Sequence, residues 1–239
     1  MIMRTIATKI AAVILALTAM TAAATAQTES RSLIYLGAGL EKEFSKKLTA
    51  ELDLQARFCH AKETQEFLVT PKIEYEPISF VSFGAEYRTT LSHEKGEDNE
   101  WTGRFGTWMK AKWSPSILKL EARIKYCNYT DDAQDRDGNY ANKQYFRTKF
   151  LAGVKIKSIK LTPYISYEWF YELNRNLVDK DRLIIGAKKK LNKRNSLALE
   201  YMFEEKFNRG KTKKDINNHI FSLTYQYTFP YKKHKESEE

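Results

Sequence analysis

Four histidines, His60, His93, His219 and His234, are the side chains best suited to proton transfer near neutral pH. A serine hydrolase needs a histidine within hydrogen-bond reach of a hydroxyl, oriented by a third group. His60 and His93 flank polar loops, and His234 falls in a charged tail. His219 is close in sequence to Ser222, but their odd spacing in an extended chain puts them on opposite faces. No G-x-S-x-G or H-E-x-x-H segment occurs. The sequence reads as no enzyme and calls for no cofactor. Residues Asp131-Asp132-Ala133-Gln134-Asp135-Arg136-Asp137-Gly138-Asn139 gather carboxylates beside a glycine. Their spacing fails the EF-hand pattern, so no metal is assigned and the segment reads as a solvated loop. The basic run Arg209-Gly210-Lys211-Thr212-Lys213-Lys214 fits a plain polar loop or one that meets phosphate groups as point charges.

The larger chemical resource is charge. The chain has 239 residues, with 40 Lys and Arg against 30 Asp and Glu, a net +10. Its 42% hydrophobic content is too high for a disordered polyelectrolyte. A mean hydropathy of −0.57 excludes a helical membrane bundle unless apolar residues form long blocks. They do so once. Arg4 and Lys9 precede the apolar run Ile10 to Met20, and Ala24-Thr25-Ala26 supplies small residues before Gln27. This is the three-part pattern of a secretory signal. The run is about 11 residues, where a spanning helix needs roughly 20. Cleavage after Ala26 leaves 213 residues with 38 basic and 30 acidic side chains, a net +8. An exported chain does not ordinarily meet nucleic acid, so the basic excess needs another explanation.

The charges lie on alternate positions of long extended segments. In Leu48 to Cys59 one face reads Leu, Ala, Leu, Leu, Ala, Phe and the other Thr, Glu, Asp, Gln, Arg, Cys. Period-2 alternation of this kind predicts strands at about 33–44, 48–59, 67–76, 80–91, 101–113, 117–129, 145–156, 159–171, 182–191, 196–206 and 217–229. Most are longer than the usual ~5–6 residues of a globular strand and match the ~9–11 that cross an outer membrane. Tight turns near 45–47, 76–79, 114–116, 157–158 and 192–195 alternate with longer polar connections near 60–66, 92–100, 130–142, 172–181 and 207–216. That layout predicts a transmembrane antiparallel β-barrel with short periplasmic turns. Residues 43–48 and 190–195 echo one another, which reads as a recurring hairpin device.

Aromatic placement agrees. Trp101 and Trp113 lie at the two ends of one apolar face, and 12 residues of tilted strand give about 30 Å of height. Tyr75, Tyr87, Tyr171 and Phe229 are expected beside them as interfacial aromatics, near strand ends. Turning the apolar face to lipid aims Arg57, Arg88, Arg104, Lys119, Arg123 and Arg147 at the lumen. Glu51, Asp53, Glu86, Glu121, Glu168 and Glu200 face them there, and confined charges of both signs should pair. Cys59 and Cys127 fall on this polar face. An exported compartment permits a disulfide, but the two residues lie four strands apart, which opposes the ~7 Å approach it needs, and the bond is left open.

The last apolar face, ending Phe221, Leu223, Tyr225, Tyr227, Phe229, resembles the aromatic terminal strand that outer-membrane barrels present to their assembly machinery. The turn Glu41-Lys42-Glu43-Phe44-Ser45-Lys46-Lys47-Leu48, the following Leu52 to Phe58, and Leu223 to Phe229 resemble an uncharacterised outer-membrane barrel family, domain of unknown function 2490. The resemblance implies outer-membrane location and carries no known activity. Bacterial single-chain barrels have even strand numbers. Eleven segments therefore predict ten strands, with 33–44 outside the wall, or twelve with one unrecognised. The expected organisation is a signal peptide at 1–26, an all-β barrel at 27–229 and a polar tail at 230–239. The expected protein is a monomer in the outer membrane of a Gram-negative bacterium. Its partners would be outer-membrane lipids, lipopolysaccharide and the assembly machinery, with no nucleic acid. Its function would be structural, or that of a narrow pore for small solutes, where the excess of Lys and Arg would favour anions. The alternative is a soluble exported barrel that binds an apolar ligand.

Overall fold

The computed structural model describes residues 28–59, 64–96, 98–134, 139–207 and 215–231. The signal segment 1–26, the basic run 209–214, residues 135–138 of the acidic loop and the tail beyond 231 lie outside the described residues. Eleven strands close into one barrel: β1 (Thr28–Glu43), β2 (Leu48–Cys59), β3 (Thr64–Ile78), β4 (Val81–His93), β5 (Glu100–Trp113), β6 (Leu118–Gln134), β7 (Tyr140–Val154), β8 (Leu161–Glu172), β9 (Leu177–Lys190), β10 (Asn195–Lys206) and β11 (Asp215–Phe229). Each strand pairs antiparallel with the next in sequence, and β1 closes on β11 in a parallel ladder from Thr28↔Asp215 to Lys42↔Phe229.

Eleven strands correct the expected ten or twelve. The 33–44 segment is a wall strand, and the even-number rule was the wrong constraint. An odd number of hairpin-linked strands leaves the first and last running in the same direction, so their shared ladder can only be parallel. The start of β1 therefore lies at the mouth with the longer connections, and the end of β11 at the mouth with the tight turns. Several strands also run further than alternation alone indicates, because backbone pairing continues after the apolar band ends. β6 reaches Gln134 through a register shift between Asn128 and Asp132. The connection expected near 172–181 shrinks to four residues, since β8 ends at Glu172 and β9 begins at Leu177.

Two tight turns use one device. Ser45 Oγ accepts from the backbone N–H groups of Lys47 (3.1 Å) and Leu48 (3.0 Å). Asn192 Oδ1 does the same for Arg194 and Asn195, both at 2.8 Å. Phe44 N–H donates to Leu48 O and Leu191 N–H to Asn195 O, each at 2.9 Å. The echo between residues 43–48 and 190–195 is thus a hydroxyl and an amide doing the same backbone work.

Inward glycines let side chains from flanking strands lie across the wall. A Cβ on Gly84 of β4 would stand 2.1 Å from Trp108 Cζ2. The indole of Trp108 (β5) instead crosses Gly84 and donates from Nε1 to Glu74 Oε2 (β3) at 3.3 Å. Tyr164 (β8) crosses Gly186 in the same way and donates to Glu200 Oε1 (β10) at 2.5 Å. A Gly84→Val variant should lose about 1–3 kcal/mol of stability from displacing the indole, read as a lower midpoint of urea unfolding.

The parallel seam has a direct test. Leu36 and Leu223 are register partners across it on the outer face. In a Cys59→Ser/Cys127→Ser background, Leu36→Cys with Leu223→Cys should cross-link on oxidation, because the paired Cα separation suits a disulfide. Leu36→Cys with Phe221→Cys, a residue pair out of register, should cross-link much less on a non-reducing gel.

Candidate functional site

Alternation sorts the side chains into two environments. The outer face carries exposed large apolar groups on every strand, including Ile34, Leu54, Phe67, Phe83, Phe105, Ile124, Phe150, Tyr167, Ile185, Leu199 and Phe221. Trp101 and Trp113 are 67% and 63% exposed at opposite ends of β5. Tyr75, Tyr87 and Phe229 are also exposed on this face. Tyr171 shares it as the register partner of Phe146. Tyr87 departs from expectation: it lies in the middle of β4, where its hydroxyl covers outward Gly103. It is a wall-packing residue, placed there because glycine leaves room for the ring.

The opposite face holds the charges, and the barrel brings most of them into contact. Three clusters form a belt. Glu168 (β8), with a side chain 2% exposed, accepts from Arg123 Nη2 (β6) at 3.0 Å and from Arg147 Nη2 (β7) at 3.0 Å, with Arg182 Nη1 (β9) at 3.8 Å. Glu204 (β10) pairs with Arg182, with Lys180 and Lys206 each at 3.8 Å, and accepts from Asn218 Nδ2 (β11) at 2.9 Å. Glu86 (β4) pairs with Arg104 (β5) and with Lys125 Nζ (β6) at 2.5 Å. Phe170 supplies the floor between two of these clusters. Lys180 Nζ, the Arg147 guanidinium and the Arg182 guanidinium lie 4.2, 4.5 and 5.4 Å from its ring centroid.

Nearer the tight turns the network is wetter. Lys72 pairs with Asp53 and with Glu51 at 3.2 Å, and Gln226 Nε2 reaches Glu51 Oε1 at 2.9 Å across the seam. Glu74 holds Lys110 at 2.5 Å and Lys112 at 3.2 Å. Near the other mouth, Arg57 pairs with Glu66 at 3.2 Å and lies 4.6 Å over the Tyr35 ring. In the connection between β8 and β9, the hydrogen bond from Arg175 to Glu172 holds that guanidinium above its ordinary pKa.

Lys119 and Glu121 share the inner face near the tight turns, with no direct ion pair between them. Arg88 is the instructive exception. It sits in register with Arg104, like charge opposite like, and its Nε donates to Thr70 Oγ1 at 3.1 Å. Lys125 and Arg147 form a second like-charged register pair, and Arg123 and Lys149 a third. Cys59 and Cys127 are both free thiols, separated by the intervening strands. Among the described residues no group of three His, Cys, Asp or Glu could hold a metal ion.

Sequence reasoning missed the inward apolar groups. Tyr35, Ile184, Met202 and Ile220 form a buried cluster on β1 and β9–β11, with Leu33 and Tyr164 packed against it. A second inward cluster joins Cys127, Tyr145 and Phe170. The available signal was broken alternation: Leu183-Ile184-Ile185 and Leu33-Ile34-Tyr35-Leu36 are apolar on both faces. Sequence reasoning also paired His219 with nothing. Its Nδ1 lies 2.7 Å from the Tyr201 hydroxyl, and the parallel seam sets Ser32 beside it in register.

A family model described as protein of unknown function (DUF2490) matches residues 33–215, most of this wall. The chain belongs to the DUF2490 family. This DUF2490 barrel is also similar to two solved structures. One is the NanC porin in a rhombohedral crystal form, with a TM-score of 0.49 and 11% identity over 74% of this chain and 85% of the porin. The other is the transport unit of the autotransporter AIDA-I from Escherichia coli, with a TM-score of 0.38 and 12% identity over 76% of this chain and 74% of that one. No curated protein matches.

The belt predicts unequal costs. Glu168→Gln leaves buried guanidinium groups without their carboxylate and should cost about 3–5 kcal/mol in urea unfolding of the folded barrel. Arg123→Gln removes a side chain 24% exposed and should cost less than half as much.

Proposed function

We propose that the chain is a monomeric outer-membrane β-barrel whose interior is a narrow, side-chain-lined passage favouring small anions. The orientation of the two faces supports the membrane reading. Exposed apolar side chains cover the outside, and Trp101 and Trp113 mark its two rims. A soluble barrel holding an apolar ligand would need the reverse orientation, with charge outside. Each backbone ladder, including the seam, is paired, so no edge strand meets hydrocarbon.

The observation that carries the pore reading is the excess of inward cations. Among the described residues, Arg88, Lys119, Lys149 and Lys188 share the inner face, and none forms an ion pair within 4.0 Å. They stand on four strands, Lys119 and Lys188 beside the tight turns and Lys149 and Arg88 further into the wall, so an anion on that stretch meets uncommitted positive charge. The belt narrows the passage: an eight-stranded barrel is filled by its side chains and one of about 16 holds an open channel, and eleven strands lie between.

Two measurements test this. In single-tryptophan variants reconstituted in lipid, Trp101 and Trp113 should each be quenched by acyl chains brominated near the headgroup, while inward Trp108 should not. A protein that fractionates as soluble and shows no heat-modifiable gel shift would end the membrane reading. In planar bilayers under a KCl gradient, small discrete currents should reverse on the chloride side. Cation preference would overturn the anion selectivity, and the lack of any discrete conductance would leave a purely structural barrel.

A further inference from the structure

Toward the mouth with the longer connections, the interior opens into a cavity of about 130 Å³, lined in part by Arg57, Lys180, Arg182, Lys206, Glu66 and Glu204. Arg57 is matched by Glu66 at 3.2 Å. The other three cations meet the carboxylate of Glu204, Arg182 in direct contact and Lys180 and Lys206 each at 3.8 Å, and Arg182 also lies 3.8 Å from Glu168, which is not in the cavity wall. That carboxylate also accepts from Asn218 Nδ2 at 2.9 Å, so its capacity is already divided four ways. Among the described residues, the wall carries four positive charges against two negative, an excess of two. Arg182 and Glu204 are deeply enclosed, with side chains 17% and 4% exposed. Uncompensated charge in such surroundings is costly, and a counter-charge inside the cavity relieves it.

We propose that this cavity binds a small organic dianion, a dicarboxylate of about four carbons. The excess of two sets the ligand's charge. The volume sets its size: at ~30 Å³ per water, about 130 Å³ holds roughly four waters, which a four-carbon dicarboxylate replaces and a lone tetrahedral oxyanion does not fill. The positions of the cations set its shape. One carboxylate meets the under-compensated Lys180, Arg182 and Lys206 on β9 and β10, and the other reaches Arg57 on β2, which it shares with Glu66. Guanidinium forks on both sides suit planar carboxylates. Leu33 and the Tyr35 ring, also in the wall, give the methylene segment an apolar surface. The site deepens the anion-passage reading by naming the class of solute held at one mouth.

Calorimetric titration of the full-length barrel, refolded in detergent micelles, tests the proposal with succinate as the probe. Succinate should bind at low ionic strength, weaken as NaCl rises, and outcompete sulfate, while neutral succinamide should not bind. Lys206→Gln removes a side chain 39% exposed and should keep the heat-modifiable fold while weakening succinate several-fold. Lys180→Gln with Lys206→Gln should weaken it at least tenfold. Succinate no better than succinamide, sulfate as tight as succinate, or a double variant with unchanged affinity would each overturn the site. Binding in micelles is independent of conduction. A barrel that passes no current yet takes up succinate sinks the pore reading and keeps the site, and the converse result separates them the other way.

Discussion

Backbone hydrogen bonding governs this molecule. A wall whose outside is apolar cannot leave N–H and C=O groups unpaired there, because each would lose its water without gaining a partner. The sheet must close on itself. With hairpins joining neighbours in sequence and an odd number of strands, closure is available only through a parallel ladder between β1 and β11. That ladder fixes the register around the ring. It also decides which residues of the first and last strands face each other across the seam, including Tyr35 with Ser222 inside and Ser32 with His219 outside.

Closure creates the problem that the ion pairs solve. Alternation sends every second side chain inward, and the sequence fills those positions with charge. The carboxylates are fewer than the cations, so some of them serve several: Glu168 three guanidinium groups, Glu204 three cations and an amide, Glu74 two lysines and an indole. Inward glycines make this sharing feasible, since Trp108 reaches Glu74 only because Gly84 on the strand between them has no side chain. Packing and electrostatics are one arrangement here: a methyl group at Gly84 would break a polar contact between the two strands that flank it.

The two-face pattern was legible in the sequence wherever alternation was clean. Leu48–Cys59 appears with the bounds expected of it, and Arg57, Glu86, Arg104, Arg147 and Glu168 meet partners inside as confined charges should. Strand ends were less legible, because backbone pairing outlasts the apolar pattern, as in β6 beyond Tyr129. Strand parity was illegible for another reason: antiparallel and parallel closure leave the same local pattern in Leu33 to Phe44. Which carboxylate serves which cation depends on barrel stagger, so the meeting of Arg123 with Glu168, 45 residues apart, has no local signature. The inward clusters around Ile220 and Phe170 were visible only as lapses of alternation.

The seam also bears on how the barrel forms. Every other ladder joins strands that are neighbours in the chain and can zip from a turn. The β1–β11 ladder joins the two ends, and the Tyr231 N–H to Glu43 contact beside it spans 188 residues. A hairpin sheet of β1 to β10 can assemble with both of its margins open, and neither margin is satisfied until β11 arrives. Closure is the step of greatest chain separation and therefore of greatest entropic cost. The start of β1 and the end of β11 at opposite mouths follow from the same geometry: the ring is sealed by two strands that enter it from the same side.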